Sequence, residues 1–206
     1  MTLIKTQLVR VCLACLFISC ALFSNAQEWK LSKEKNGVKV YTRKIEGWGL
    51  KEYKAIVNVK TDLESGMMAY KDPDQRKKWM SDRVAKVGNI KEYSDEFIMT
   101  YNLGKAPWPV ADRDQVSLVK FSKPSDNVVL ADVEACEMCI PKIDGVVRVP
   151  RSKGYWKFED LGNGEIRITT QMVADLGGSV PDWVVNSFIV SGPYDTLTSL
   201  KSYLEN

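Results

Sequence analysis

The hydrophobic pattern of the chain predicts a β-rich domain that ends in a long helix. The strand signal is strongest at residues 165–174, where apolar and polar side chains alternate with the period of two that gives a strand one buried face. Further runs rich in β-branched and aromatic residues predict a strand-turn pattern at 38–45 and strands at 50–60, 84–92, 96–103, 115–121, 128–139 and 146–158. The short gap at residues 161–164 indicates antiparallel pairing.

Three short helices are predicted in the first half of the chain. Residues 28–35 are a helical candidate that ends at the turn signal Asn36-Gly37. After the second strand, Thr61 and Glu64 have the spacing of a capping box, and Asp72-Pro73 ends the helix that follows it. Another short helix is predicted at 73–80, with proline in its first turn.

The last predicted element is an amphipathic helix that starts near Pro181 and is kinked at Gly192-Pro193. Its apolar stripe consists of Val184, Val185, Phe188, Ile189, Leu197, Leu200 and Leu204. We therefore expect an α+β fold, in which a curved antiparallel sheet wraps around this long C-terminal helix and two short helices are inserted after the second strand.

A sheet that curves around a helix leaves room between them for one small apolar ligand. The candidates for its wall are Val185, Phe188 and Ile189 on the helix and Met99, Tyr101 and Met172 on the strands. Methionine adapts well to a flexible ligand, but each of these residues could equally be plain core.

The amino-acid composition excludes several classes of catalytic and metal site, whereas it says little about the fold. The 206 residues suit one domain, and the chain contains no histidine. This excludes Ser-His-Asp and Cys-His catalytic sites and His-ligated metals. Because the sequence also shows no convergent pair of carboxylates at a sensible spacing, we expect no enzyme, no metal and no cofactor. Tyr, Lys or carboxylate chemistry on a hydrophobic substrate remains the alternative.

The first 26 residues are interpreted as a signal peptide. Lys5 and Arg10 precede an apolar run at 11–23, and Ser24-Asn25-Ala26 places small residues where a signal peptidase reads, so cleavage is predicted after Ala26. Lipoprotein anchoring at Cys20 is the weaker alternative. Cleavage would lower the net charge from +3 to +1, which gives no reason to expect a nucleic-acid partner. We expect a single secreted or periplasmic domain, residues 27–206, that is monomeric.

Two arginines are candidates for a polar ligand contact. Arg113 and Asp114 are adjacent on a predicted strand and should face opposite ways, so Arg113 either contacts a head group or belongs to an ion pair that fastens a loop. Arg148 lies among valines and either faces solvent or is a buried charge that needs a partner, which could be a ligand carboxylate or phosphate.

Other candidates have a structural interpretation beside the functional one. Trp108 either anchors its loop in the core or enters a membrane during exchange, and Trp183 and Asn186 at the start of the last helix contact either ligand or loop. Cys136 and Cys139 should point to opposite faces of a strand, so a disulfide would require a turn there. The run Arg76-Lys77-Lys78 is either a solvated helix face or a contact for anionic lipid.

Three segments resemble one known family in order and spacing: 107–116 (PWPVADRDQV), 145–149 (GVVRV) and 175–186 (DLGGSVPDWVVN). They are similar to segments of the START domain, which has a helix-grip fold. They resemble its phosphatidylcholine-transfer subgroup more than its steroid-transport subgroup. The resemblance implies a tunnel that binds a lipid or other hydrophobic molecule, with transfer of that molecule as a further expectation. It also implies release by movement of the last helix and transient contact with a membrane.

The sequence departs from the steroid-carrying members of this family. Those members have a cavity arginine six residues beyond the arginine that corresponds to Arg113 of the Arg113-Asp114 pair, and the residue at that position here is Val119. No matching acidic residue lies near Thr100. A sterol-hydroxyl site of that type is therefore not expected.

Overall fold

The structure is a computed structural model that describes residues 27–80, 84–106, 108–178 and 180–206. The strands are β1 (Lys30–Lys35), β2 (Val38–Arg43), β3 (Glu52–Lys60), β4 (Val84–Ser94), β5 (Phe97–Gly104), β6 (Arg113–Ser125), β7 (Val128–Ala135), β8 (Val147–Arg148), β9 (Arg151–Gly162) and β10 (Glu165–Asp175). The helices are α1 (Leu63–Lys71), α2 (Pro73–Trp79), α3 (Asp182–Asn186), a π-helical segment (Ser187–Ser191) and α4 (Gly192–Glu205).

The described strands form one sheet in the order β1-β2-β3-β10-β9-β7-β6-β5-β4. Neighbouring strands in this order pair antiparallel, and the short β8 pairs parallel with the start of β6. Helix α4 packs mainly on β3 and β2, while α1 lies against β7, β9 and β10. The predicted α+β architecture, with a long antiparallel sheet and a long C-terminal helix packed on it, is confirmed.

The prediction of a helix at 28–35 is wrong. Residues 30–35 form β1, which pairs with β2 through Asn36 and Gly37 at φ values of 53° and 77°. An Asn-Gly pair with both φ values positive makes the turn that matches strand twist, so the hairpin prevails over local helix propensity. The two short helices consequently follow the third strand rather than the second.

Helix α1 begins one residue later than the predicted capping box implies. Asp62 is the N-cap, and its Oδ1 accepts a hydrogen bond of 2.8 Å from the Ser65 N–H. Asp72 ends α1 and also caps α2, where it accepts from the N–H groups of Asp74 and Gln75. Pro73 therefore starts a second helix, as predicted.

The inner face of the sheet, defined as the face that meets the helices, holds the main core. Tyr70, Trp79 and Leu197 from the helices pack there on strand residues such as Phe158 and Ile166. Helix α1 approaches so closely that a Cβ added at Gly66 would lie 2.3 Å from the Ile166 side chain. Each fully buried large side chain contributes about 1.5–3 kcal/mol.

The C-terminal helix changes its hydrogen-bond pattern at the predicted kink. The Gly192 N–H donates to the Ser187 carbonyl, a bond between residues five apart that defines the π-helical segment. Pro193 has no N–H to donate, so the regular helical pattern cannot continue through this point unchanged. Within the described residues, no helix is long and apolar enough to cross a membrane.

Candidate functional site

The inner face of the sheet differs between its two ends. At the hairpin end, where the 161–164 turn lies, it is apolar and the helices cover it. At the other end, strand alternation places a set of polar side chains on the same face as Ile98 and Val119. This polar inner patch consists of Thr100, Asn102, Arg113, Gln115, Ser117 and Ser152.

Some side chains of the polar inner patch form hydrogen bonds with one another. The Gln115 amide nitrogen donates to the Ser117 hydroxyl at 2.8 Å and to the Ser152 hydroxyl at 2.9 Å. Ser117 and Ser152 are both buried, and Gln115 is partly buried. These bonds hold β6 to the start of β9, just beyond the point where β7 ends.

Arg113 and Asn102 each keep a buried polar atom without a hydrogen-bond partner among the described residues. Arg113 is 5% exposed and its Nη1 donates to the Ala111 carbonyl, but its Nε has no hydrogen-bond partner among the described residues. The buried Asn102 Oδ1 also lacks a partner there. Burial lowers the pKa of Arg113, and the neighbouring Asp112 charge opposes this effect. The predicted ion pair of Arg113 is not found among the described residues.

Arg76 is a second buried guanidinium on the inner side. Its Nη1 donates to the Tyr70 carbonyl at 3.1 Å and its Nη2 to Asn89 Oδ1 at 2.7 Å, while Nε lacks a partner in the described part of the chain. Burial lowers the pKa of Arg76. The interpretation of this run as a solvated helix face is therefore confirmed for Lys77 and Lys78, which are exposed, and wrong for Arg76, which is buried. The position of Trp79, buried three residues later, is the sequence signal that could have shown this.

Arg148 lies on the outer face of the sheet, in an ion pair with Asp114. Its Nε and Nη2 donate to the two Asp114 carboxylate oxygens at 2.7 and 2.9 Å, and both side chains are 1% exposed. The remaining N–H groups donate to the carbonyls of Glu137, Ile140 and Pro141. Hydrogen bonding to Asp114 raises the pKa of Arg148. Arg148 is thus a buried charge with a protein partner, and all its donors are used.

Met99 and Tyr101 lie beneath this ion pair rather than on the inner face. They form a separate cluster with Val116, and Ile140 packs against it. Ile98, which directly precedes Met99 on β5, belongs to the main core, so alternation along the strand directs Met99 and Tyr101 outward. The prediction that these two residues point inward is wrong. Met172 does lie on the inner face, half-buried against the main core.

Cys136 and Cys139 form a disulfide. The prediction that they lie on a strand is wrong, because β7 ends at Ala135 and the next residues turn, with the Cys139 N–H donating to the Cys136 carbonyl. Their Cα atoms are 5.4 Å apart, within the usual range for a disulfide. The disulfide closes the turn whose carbonyls accept from Arg148.

The remaining predicted residues divide between buried and exposed positions. On the C-terminal helix, Ile189 is buried and Val185 half-buried, whereas Phe188 is 37% exposed and Asn186 is exposed. Trp108 is 91% exposed, next to a cis peptide bond to Pro109, so it does not anchor its loop in the core. Trp183 is 52% exposed. Ligand contact by any of these residues stays a prediction.

The family model of the START domain matches residues 9–206. The chain belongs to the START domain family. It is 34% identical over 180 residues to an uncharacterised protein of Pseudomonas aeruginosa, covering 87% of this chain and 88% of that protein. It is 28% identical over 186 residues to the phosphatidylcholine transfer protein of Mus musculus, covering 87% and 85%. Membership of this family implies that the START domain described here binds a lipid or other hydrophobic ligand.

Solved structures show the same fold. A STAR-related lipid transfer protein fragment from Xanthomonas axonopodis superimposes with a TM-score of 0.78 at 34% identity, covering 86% of this chain and 99% of that one. Human StAR-related lipid transfer protein 5 superimposes with a TM-score of 0.77 at 22% identity, covering 99% and 98%. At 22% identity, the likeness to the human protein shows a shared fold and nothing about function.

Proposed function

We propose that this START domain encloses one lipid between the inner face of its sheet and the C-terminal helix and carries it outside the cytoplasm without catalysis. The observation that carries the proposal is the polarity of the inner face. One end is apolar, and the other holds a buried patch of polar side chains. A lipid has the same division, because its chains prefer apolar surroundings and its head group needs hydrogen bonds.

Partly accessible side chains on the inner face support an enclosed space. Tyr53 follows the alternation of Ala55 and Val57 and is half-buried, yet burial raises its pKa to about 12. Its cross-strand partner Met172 is also half-buried. Side chains that lie deep in the fold but keep accessible area are expected around an internal cavity.

The exposed tryptophans support exchange at a membrane. Trp108 and Trp183 present large aromatic surfaces to solvent, and tryptophan is favoured at the boundary between lipid and water. The π-helical segment lies close to Trp183 along the chain and offers a point at which the helix can move. We propose that the loop of Trp108 and the start of the C-terminal helix contact the membrane while lipid enters or leaves.

The location and the absence of catalysis are part of the same proposal. The basic and apolar N-terminal segment, which lies outside the described residues, supports secretion, and we propose that the carrier acts in the periplasm or beyond it. The chain contains no histidine, the commonest general base near neutral pH. We propose that the protein acts as a monomeric carrier.

Native mass spectrometry of the gently purified protein tests the proposal. We expect a reproducible added mass of lipid size, and chloroform extraction should release a molecule that tandem mass spectrometry identifies. Absence of any added mass, together with no binding of fluorescent fatty acid or phospholipid probes, would rule out the carrier function. Incubation of the extracted lipid with fresh protein, followed by product analysis, should return the lipid unchanged, whereas a product would indicate an enzyme.

A further inference from the structure

On the inner face, Arg113 and Asn102 each have a buried polar atom without a hydrogen-bond partner among the described residues, and the two atoms have complementary chemistry. Arg113 Nε is a hydrogen-bond donor on a cation, and Asn102 Oδ1 is an acceptor. Leaving either group unsatisfied in the interior costs about 1–3 kcal/mol, and more for a charged group. A bound molecule that supplies both missing hydrogen-bond partners would remove this cost.

The register of β5 and β6 brings the two residues together. Asn102 is opposite Gln115 and Arg113 is opposite Gly104, so Asn102 and Arg113 are diagonal neighbours on the same face. Diagonal neighbours in an antiparallel pair are about 7–8 Å apart, within reach of a long side chain. Because Gly104 has no side chain, the space next to Arg113 on this face is not filled from the opposite strand.

The nearby carboxylates are directed elsewhere. The Oδ1 atom of Asp112 accepts a hydrogen bond of 2.9 Å from the Ala106 N–H. Asp114 faces the outer side, where both its oxygens bind Arg148. Within the described residues Arg113 therefore has no ion-pair partner, and a buried cation of this kind favours an anion as its ligand.

We propose that Arg113 and Asn102 bind the head group of the carried lipid, and that this head group is an anionic oxygen acid with a hydroxyl within reach. The acid oxygens accept from Arg113, and the hydroxyl donates to Asn102. The inference rests on the proposed function and specifies its ligand class. A fatty-acid carboxylate and a phospholipid phosphate both supply the anionic oxygens, and phosphatidylglycerol also carries the hydroxyl, whereas a quaternary ammonium would place a second cation beside Arg113.

Four probes, each tested for binding to the full-length protein, measure the head-group preference: oleic acid, oleyl alcohol, dioleoylphosphatidylglycerol and dioleoylglycerol. Each dissociation constant can be measured by the change in tryptophan fluorescence. We expect oleic acid or phosphatidylglycerol to bind at least about tenfold more tightly than its partner of equal chain length, oleyl alcohol or dioleoylglycerol, since a charged hydrogen bond is worth at least that factor. Whichever pair shows the difference identifies carboxylate or phosphate as the source.

Two variants and a matched control separate the site from a general charge effect. Arg113→Met removes the cation at nearly constant length, and Asn102→Asp supplies a protein carboxylate next to Arg113 in place of the ligand. Both should weaken binding of the anionic probe by about tenfold and leave oleyl alcohol within about twofold. The control Arg167→Met removes the same charge from an exposed arginine on the outer side of β10 and should change neither.

The outcomes distinguish this inference from the proposed function. If wild type binds charged and neutral partners equally, or if both site variants leave the preference unchanged, the head-group inference is overturned and the carrier function stands. If no probe binds and no lipid is found in the purified protein, the carrier function itself fails. Circular dichroism establishes that each variant is folded, and Asn102→Asp alone still tests the inference if Arg113→Met does not fold.

Discussion

Arg113 and Asp114 are neighbours in the chain, but they belong to two regions with opposite character. Asp114 faces the outer side of the sheet, where it pairs with Arg148 and every donor of that guanidinium is used. Arg113 faces the inner side, where its Nε has no partner among the described residues. A buried charge whose hydrogen bonds are all made within the protein stabilises the fold, whereas one with an unbonded donor indicates a place for a ligand.

The largest expected effect comes from breaking the outer pair. Asp114→Asn should lower the free energy of unfolding by about 3–5 kcal/mol, because Arg148 would remain buried without its counter-charge. Urea denaturation measures this loss. Asp132→Asn, an exposed position on the outer face of β7, is the control and should change stability by less than about 0.5 kcal/mol. A loss of similar size in both variants would contradict a structural role for the pair.

Removal of the disulfide should have a smaller effect on the same region. The double variant Cys136→Ser and Cys139→Ser should lose about 2 kcal/mol, as expected for a loop this short. The thermal midpoint should fall, and addition of a reductant should lower it in the wild type but not in the variant. If lipid affinity fell as well, the outer cluster would be coupled to the inner site and the separation of the two regions would be wrong.

The inner arginine should respond in the opposite way. Arg113→Met should change the free energy of unfolding by less than about 1 kcal/mol, because it removes an incompletely bonded charge from a buried position. The measurement is urea denaturation of protein from which lipid has been extracted. A loss as large as that of Asp114→Asn would show that Arg113 is satisfied within the protein.

The smallest effect on stability is expected at the exposed aromatic positions. Trp108→Ala should leave the free energy of unfolding within about 0.5 kcal/mol of wild type, since the side chain is 91% exposed. It should nevertheless slow transfer of fluorescent lipid between vesicles. Met138→Ala, at the 84% exposed tip of the disulfide turn, is the control and should transfer lipid at the wild-type rate. Equal rates in all three proteins would remove Trp108 from the exchange step.

The burial and facing direction of individual candidate residues could be predicted from sequence only where the information is local. Alternation along β10 correctly placed Met172 inward, and the helical stripe correctly buried Val184 and Ile189. Met99 and Tyr101 were assigned to the wrong face, because a bare strand pattern does not say which of two hydrophobic faces meets the helices. Burial of Asn102 and Arg113 on one face depended on the β5–β6 register.

The sequence by itself determined the strand and helix periods, the turns at Asn36-Gly37 and Gly162-Asn163-Gly164, and membership of the START domain family. These properties depend on residues a few positions apart or on the order of motifs. Only the tertiary structure decided that Arg148 pairs with Asp114, 34 residues away, and that Arg113 has no ion-pair partner among the described residues. Such pairing depends on where β8 docks on β6, which requires the completed sheet.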